Sequence, residues 1–260
     1  MYPSTGGRLR AVTELWRLAE DRVSEFDAIA VDYKRYRPRY PERLFDDIVE
    51  TGELSQGARA VEIGAGTGIA TAPLVDRGLI VTALEPAPGM AALARAKLGN
   101  RARVEVSRFE DWTATEAIQL VAAFNAWHWV QPDVGLGLAA QMLTSGGTLA
   151  IVWTDVISWG EEPFETRLAD AFGAPWPKTV DQVVGSLGPV QEDGRFGAFQ
   201  EHHYRFERRL DAADFVAVTR TYGGTHSTDR DEIIRTIIDE ELGGTVTKVE
   251  DAVLNLARRQ

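Results

Sequence analysis

The stretch VEIGAGTGIATAPLV (residues 61–75) opens with a short apolar run carrying an acid, passes through three glycines alternating with small residues, and closes in a helical pattern. Glycine at 64, 66 and 68 lets a chain leaving a strand turn tightly and bring its amides against a ligand that any Cβ would hold off. A strand, a cofactor-cradling loop and a helix are therefore expected in that order. The dinucleotide fingerprint G-x-G-x-x-G/A is not met, because the sixth position counted from Gly64 is Ile69. That counts against NAD, since a small residue there permits close packing of helix on strand. Glu85, followed by Pro86, ends the next apolar run in IVTALEP. A carboxylate at the tip of a second strand can accept from both ribose hydroxyls of any adenosine site.

Working outward, apolar runs at 60–63, 80–85, 104–107, 120–125 and 148–154 read as strands, and helical periodicity near 69–76, 89–98 and 134–143 reads as crossover helices. Apolar strands alternating with helices require a mostly parallel sheet covered on both faces. Upstream, Val12, Leu15, Trp16 and Ala19 mark a short amphipathic helix, residues 26–41 with their prolines and aromatics read as an ordered loop, and 42–50 as a helix. The alternation breaks after Thr154. Residues 155–200, rich in Gly, Pro and Trp, read as a less regular helical insertion. Late strands are expected at 203–208 and 252–258, with helices near 212–221 and 229–242 and a helix stop at Leu242-Gly243-Gly244.

At 260 residues the chain suits one large domain or a domain with an added subdomain. With 28 basic and 39 acidic residues the net charge is −11, and the densest basic run, Lys34, Arg35, Arg37 and Arg39, is interleaved with tyrosine and proline. A nucleic-acid partner is not expected. There is no cysteine, which removes disulfides, thiolate chemistry and cysteine-ligated zinc. No apolar run approaches the roughly 20 residues that cross a bilayer. A cytoplasmic protein with no membrane partner is expected, as a monomer or homodimer.

In order and spacing these pieces resemble the class I S-adenosylmethionine-dependent methyltransferases, particularly the small-molecule enzymes of the type-11 group. VEIGAGTG is similar to that family's first motif, ALEPAPGM to its second-strand motif, SRFEDW to the acidic loop after the third strand, and FNAWHWV to the end of the fourth. YRPRYP upstream and GGTVTKVEDAVLNLARR at the end are similar to further pieces, so the resemblance covers residues 26–155 and the C-terminal strand pair. It implies an α/β, doubly wound, seven-stranded and mostly parallel sheet with the last strand antiparallel, a Rossmann-like fold with a helical insertion. The implied organisation is an N-terminal helix and covering loop (1–41), a cofactor-binding core (42–154), the insertion over the acceptor pocket (155–200), and C-terminal helices with a strand pair (201–260).

The resemblance also implies S-adenosylmethionine as cofactor and S-adenosylhomocysteine as product, with no metal. Carried over by position, Gly64, Ala65 and Gly66 would pass close to the methionine part, with Glu62 near its amino group. Glu85, followed by Pro86, would take the ribose hydroxyls, and Met90 the adenine face. Phe109 and Glu110 would flank the adenine edge, Asn125 and Ala126 would lie beside the methionine segment, and Tyr33 and Arg37 would cover the cofactor. His128, between two tryptophans in AWHWV, is a candidate general base for a hydroxyl acceptor or else a packed pocket wall. His202 and His203 begin a strand and read as structural. The segment FNAW lacks the Asn-Pro-Pro-aromatic signature of base and amide methylases, and no carboxylate set there suits magnesium. Trp127, Trp129, Trp153 and Trp159 at the strand ends point to a small acceptor of apolar or aromatic character. Competing readings are a relative of this fold using the sulfonium without methyl transfer, a nicotinamide-dependent oxidoreductase, and a non-catalytic binding module.

Overall fold

A computed structural model describes residues 19–172, 194–221 and 227–260. The expected helix around Val12 to Trp16, and the stretch 173–193 of the expected insertion, lie outside the described residues. The glycine-rich stretch folds as read: β1 (Arg59–Ile63), the turn, then α4 (Thr71–Asp76). Preceding it are α1 (Ala19–Ala28), α2 (Ala30–Tyr36) and α3 (Glu42–Thr51). After it come β2 (Ile80–Leu84), α5 (Pro88–Leu98), β3 (Arg103–Glu105), β4 (Ile118–Phe124), α6 (Pro132–Met142) and β5 (Leu143–Ser158). The chain closes with α7 (Glu162–Phe172), β6 (Gln200–Asp211), α8 (Ala212–Arg220), α9 (Thr228–Thr236), a π-helical turn (Ile237–Glu241) and β7 (Thr245–Arg258).

Residues 26–41 are not the ordered loop expected. Most of them are helical, and the chain becomes extended only at Arg37, just before Pro38. Pro38 and Pro41 stand after the last turn of α2 and before α3, where a missing amide costs no helical hydrogen bond.

The strand order is β3-β2-β1-β4-β5-β7-β6. Neighbours from β3 to β5 pair in parallel, while β7 runs antiparallel to both β5 and β6, so β7 alone opposes the rest. Connections run outward from β1 to β3 on one side and from β4 on the other. Ligand crevices open at such a switch point, at the carboxyl ends of the strands.

Alternation along the strands divides two apolar layers. Val61, Ile63, Val121, Ala123, Leu149 and Ile151 face α6, where Leu136, Ala139 and Ala140 cover them. Ala60, Leu120, Ala122, Ala150 and Val152 face α3 and α4, covered by Leu44, Phe45, Ile48 and Leu74. A third cluster, including Val156, Phe164, Phe215, Ile234, Ile238 and Val246, joins α7, α8 and α9 to the outer sheet. That outer part is longer than expected: β5 continues past Thr154 to Ser158, and β7 begins at Thr245, not near 252.

The carboxyl ends of β1 and β4 lie side by side, with Ile63 in register with Ala123. Gly64 turns away at φ 63°, and a Cβ built on it would lie 2.6 Å from the Ala126 Cβ. An L-residue there is disfavoured by conformation and by contact together. Gly64→Ala is expected to lower unfolding stability by about 2 to 4 kcal/mol, from left-handed strain and overpacking, and a urea titration checks it.

Candidate functional site

Beyond Ile63 the loop hardly uses side chains. Ala65 N donates to Leu84 O at 3.0 Å and Gly68 N to Ala65 O at 2.9 Å, which closes the turn against β2. Gly66, at φ 56°, donates its amide to Glu85 Oε2 at 2.7 Å. Glu85 reaches the other way as well, its Oε1 accepting from Ala87 N at 2.8 Å, just before α5. One carboxylate thus bridges the turns after β1 and β2. Burial pushes its carboxyl above the usual range, the Ala87 and Gly66 amides oppose that shift, and Asp27 adds to it. A carboxylate has about four acceptor positions, so two remain after the amides are served.

Two cavities meet over this loop. The first encloses about 900 Å³ of empty space, part of it open to solvent, within the range of small-molecule sites. Glu85, Pro86 and Met90 line one side, Phe109 and Glu110 the next, and Trp129, Val130 and Ala126 the far wall. Val23, Phe26 and Tyr33 supply the roof from α1 and α2. The second cavity, of about 410 Å³, is bounded by Glu62, Ala65, Tyr33, Arg37 and Tyr40. Tyr33, Gly64, Gly66, Phe124 and Asn125 line both, so the cavities join at the ends of β1 and β4. Every residue expected at a cofactor site falls on one of these walls.

Several carry a contact that spacing does not show. Glu110 Oε1 accepts from Gln131 N at 2.7 Å, at the start of α6, and Oε2 lies 3.7 Å from Arg108 Nε. Asn125 sits at φ 52°, a left-handed conformation that asparagine tolerates. Its Nδ2 donates to Tyr40 Oη at 2.9 Å and Thr154 Oγ1 at 3.1 Å, and its Oδ1 accepts from Thr154 N at 2.8 Å. Burial raises the Tyr40 phenol, keeping it protonated. Arg37 spreads its guanidinium over the Tyr33 ring, 4.9 Å from the centroid, and donates from Nη2 to Thr221 O at 2.8 Å.

His128 is placed differently. It lies in a 3₁₀ turn, Trp127–Trp129, with its ring tilted against Trp129 and Trp153 at centroid distances of 4.4 and 5.1 Å. The cavity lining takes in Trp129 and Val130 but not His128. His202 and His203 lie in β6, where His203 Nδ1 is 2.7 Å from Asp251 Oδ2. Sequence reasoning missed Val23, Phe26 and Tyr40 on the walls. The helical spacing of Val23, Phe26, Ala30 and Tyr33 was the available signal.

Among the described residues no group of three or more His, Cys, Asp or Glu side chains could hold a metal ion. No described helix is long and apolar enough to cross a membrane. The second cavity has a different character. Glu62 is almost wholly buried, and its Oε2 has no hydrogen-bond partner among the described residues. Burial pushes its carboxyl up to about 8, with Glu85 adding and Thr71 and Lys97 opposing. An orphaned acid on a cavity wall suits a cationic ligand group, which would restore its charge.

This shift sets a pH dependence. Glu62 binds its proton more tightly folded than unfolded, where 4.5 is the ordinary value, so its contribution to stability falls as pH rises from about 4.5 to about 8. Glu62→Gln is expected to remove that decline, so the drop in urea midpoint between about pH 6 and pH 8 becomes smaller in the variant.

Comparisons with known proteins agree with this fold. A methyltransferase domain model matches residues 61–151, from β1 into β5. An uncharacterized methyltransferase of Mycobacterium bovis is 33% identical over 173 residues, 66% of this chain and 64% of the relative. An uncharacterized methyltransferase of Geobacillus kaustophilus is 30% identical over 156 residues, 56% of this chain and 72% of the relative. A solved structure from Anaeromyxobacter dehalogenans, a type II methyltransferase candidate, superposes with a TM-score of 0.60 at 21% identity, over 86% of this chain and 98% of the other. The fold and the glycine-loop cavity thus define a Rossmann-like methyltransferase domain. The chain belongs to the class I S-adenosylmethionine-dependent methyltransferase family. It spans 64% of the length of the mycobacterial relative, short of two thirds.

Proposed function

We propose that this chain transfers a methyl group from S-adenosylmethionine to a small organic acceptor, releasing S-adenosylhomocysteine. The observation that carries the reading is the joined pair of cavities over Gly64 and Gly66, with Glu85 in one and the orphaned Glu62 in the other. Bound there, the cofactor supplies an activated methyl on a good sulfur leaving group, so the chemistry is an in-line displacement.

The chain's own residues bind and align. Glu85 offers its two remaining acceptor positions to the ribose hydroxyls, and Pro86, Met90, Phe109 and Glu110 border the adenine. Gly64, Ala65 and Gly66 bring main chain beside the methionine part. Glu62 faces the amino group and Arg37 the carboxylate, with Tyr33 between the two cavities. Asn125 and Ala126 set the edge from which the acceptor approaches, held near about 3 to 3.5 Å from the methyl carbon. Val23, Phe26, Trp129 and Val130 give that end an apolar and aromatic surface, which favours an acceptor of the same character. His128, packed behind Trp129, is assigned to supporting that wall, and the reading requires no base within the cavity.

The test combines binding with label transfer. The protein is expected to bind S-adenosylhomocysteine by calorimetry and to move a labelled methyl onto members of a panel of small aromatic and apolar acceptors. Glu85→Ala is expected to raise the dissociation constant about 100-fold, two hydrogen bonds to a charged group being worth about 1.5 to 3 kcal/mol each before water replaces part of them. Stabilisation by NAD(P) without any by S-adenosylhomocysteine would overturn the reading. Product formed without label transfer would overturn methyl transfer while keeping the cofactor.

A further inference from the structure

The roof of the first cavity is tied to its Met90 wall by the Asp27 carboxylate. α5 begins with Pro88, Gly89 and Met90, and Ala87 at its N-cap makes no side-chain cap bond. The early amides of a helix lack partners within it. Asp27, in the last turn of α1, serves two of them: its Oδ1 accepts from Gly89 N at 2.8 Å and Met90 N at 3.3 Å. This is an N-cap delivered from 62 residues away. A Cβ on residue 89 would lie 2.9 Å from Asp27 Oδ1, so a side chain there would push the capping carboxylate aside.

What Asp27 carries with it is the roof. Its neighbour Phe26 meets Trp129 edge-on across the cavity, with ring centroids 6.1 Å apart, and Tyr33 at 6.4 Å. Ala30, Ala87 and Met90 form a small buried cluster against which Val23, Phe26 and Tyr33 pack. The far end of the roof is held independently, by Arg37 on Thr221 O and by Arg208 Nη1 on Tyr36 O at 3.0 Å. At the near end two carboxylates converge on one helix start, Glu85 on the Ala87 amide and Asp27 on the next two.

We propose that Asp27 is a positioning residue that latches α1 and α2 onto the N-terminus of α5, coupling closure of the roof to occupancy of the cavity end walled by Glu85 and Met90. A ligand touching both that wall and the roof binds the latched arrangement better. Linkage then requires that unlatching weaken the ligand and that the ligand suppress unlatching by the same factor. Only the identity of the ligand rests on the methyltransferase reading; the latch itself does not.

The test uses the full chain and two variants that break the cap from opposite sides. Asp27→Ala removes the acceptor, while Gly89→Ala displaces it and leaves the carboxylate in place. Amide hydrogen exchange without ligand is expected to speed up across residues 23–36 in both, with β1 and β4 unchanged. The S-adenosylhomocysteine dissociation constant is expected to rise about two- to thirtyfold, the range that loss of a helix cap spans. Asp27→Asn, which keeps an oxygen acceptor, is expected to fall between wild type and Asp27→Ala. With a competent acceptor, KM for the cofactor rises by a similar factor while kcat stays within about twofold, the split expected of lost uniform binding. Unchanged exchange in both variants would sink the latch, and faster exchange at unchanged affinity would sink the coupling. If wild type fails to bind S-adenosylhomocysteine while both variants loosen residues 23–36, the cofactor assignment falls and the latch stands.

Discussion

The arrangement of the cavity depends on the two hydrogen bonds accepted by the Glu85 carboxylate. A loop of glycines and small residues has few side chains with which to hold itself, and Gly64, Gly66 and Gly68 all adopt positive φ. The Gly66 amide is fixed by Glu85 from outside the loop, and the same carboxylate fixes the Ala87 amide at the entrance to α5. Remove that bridge and the turns after β1 and β2 lose their common reference, and with them the spacing between the cavity floor and the Met90 wall. The cost of burying the acid is partly offset by these two amides, and its unfilled acceptor positions are what make it useful to a ligand.

The walls repeat this logic with other buried charges. At Glu62 the burial is met by protonation, its carboxyl being pushed up to about 8 and its Oε2 having no hydrogen-bond partner among the described residues. Away from the cavity another buried acid is paired with cations. Lys248, fully buried, sits 2.5 Å from Glu250 Oε1 and over the Trp159 ring, and Arg208 closes the group through Glu250 Oε2 at 2.8 Å. Burial brings the Lys248 amine down to about 7 against the pull of Glu250. Because Arg208 also holds Tyr36 O, this ion group anchors the end of α2 to the outer sheet. The roof is therefore supported from two separate parts of the fold.

Much of this was legible in residue order. The strand and helix alternation from residue 59 to 154, the glycine turn and the acid at the second strand tip follow from local patterns of period 2 and 3.6, and the structure has them with small shifts at the ends. What sequence concealed was non-local. Residues 26–36 looked like loop because Pro38 and Pro41 dominate the segment, although Val23, Phe26, Ala30 and Tyr33 keep helical spacing. β7 looked short because the inward positions of its first half include Lys248 and Glu250, charges that read as solvent-facing until Arg208 is brought beside them. The Asp27 cap, the Glu110 bond at the start of α6 and the knitting of Asn125 to Tyr40 and Thr154 join residues tens of positions apart. No local period signals them. At His128 the sequence left base and pocket wall open, and its ring lies tilted against those of Trp129 and Trp153.

The loop from Gly64 to Gly66 presents main chain to the cavity, and this bears on how a binder directed at the site would fare over time. A contact with a side chain is lost by one codon change, whereas a contact with main chain survives any substitution that preserves the turn. At Gly64 the nearby Ala126 Cβ makes even alanine a poor exchange. A compound that packed on this main-chain floor and took the rest of its contact area from Phe26, Tyr33 and Trp129 would leave resistance mutations only the roof and the Trp129 wall to work with. The roof is also where the choice of acceptor would be made, so escape there would be coupled to altered selectivity.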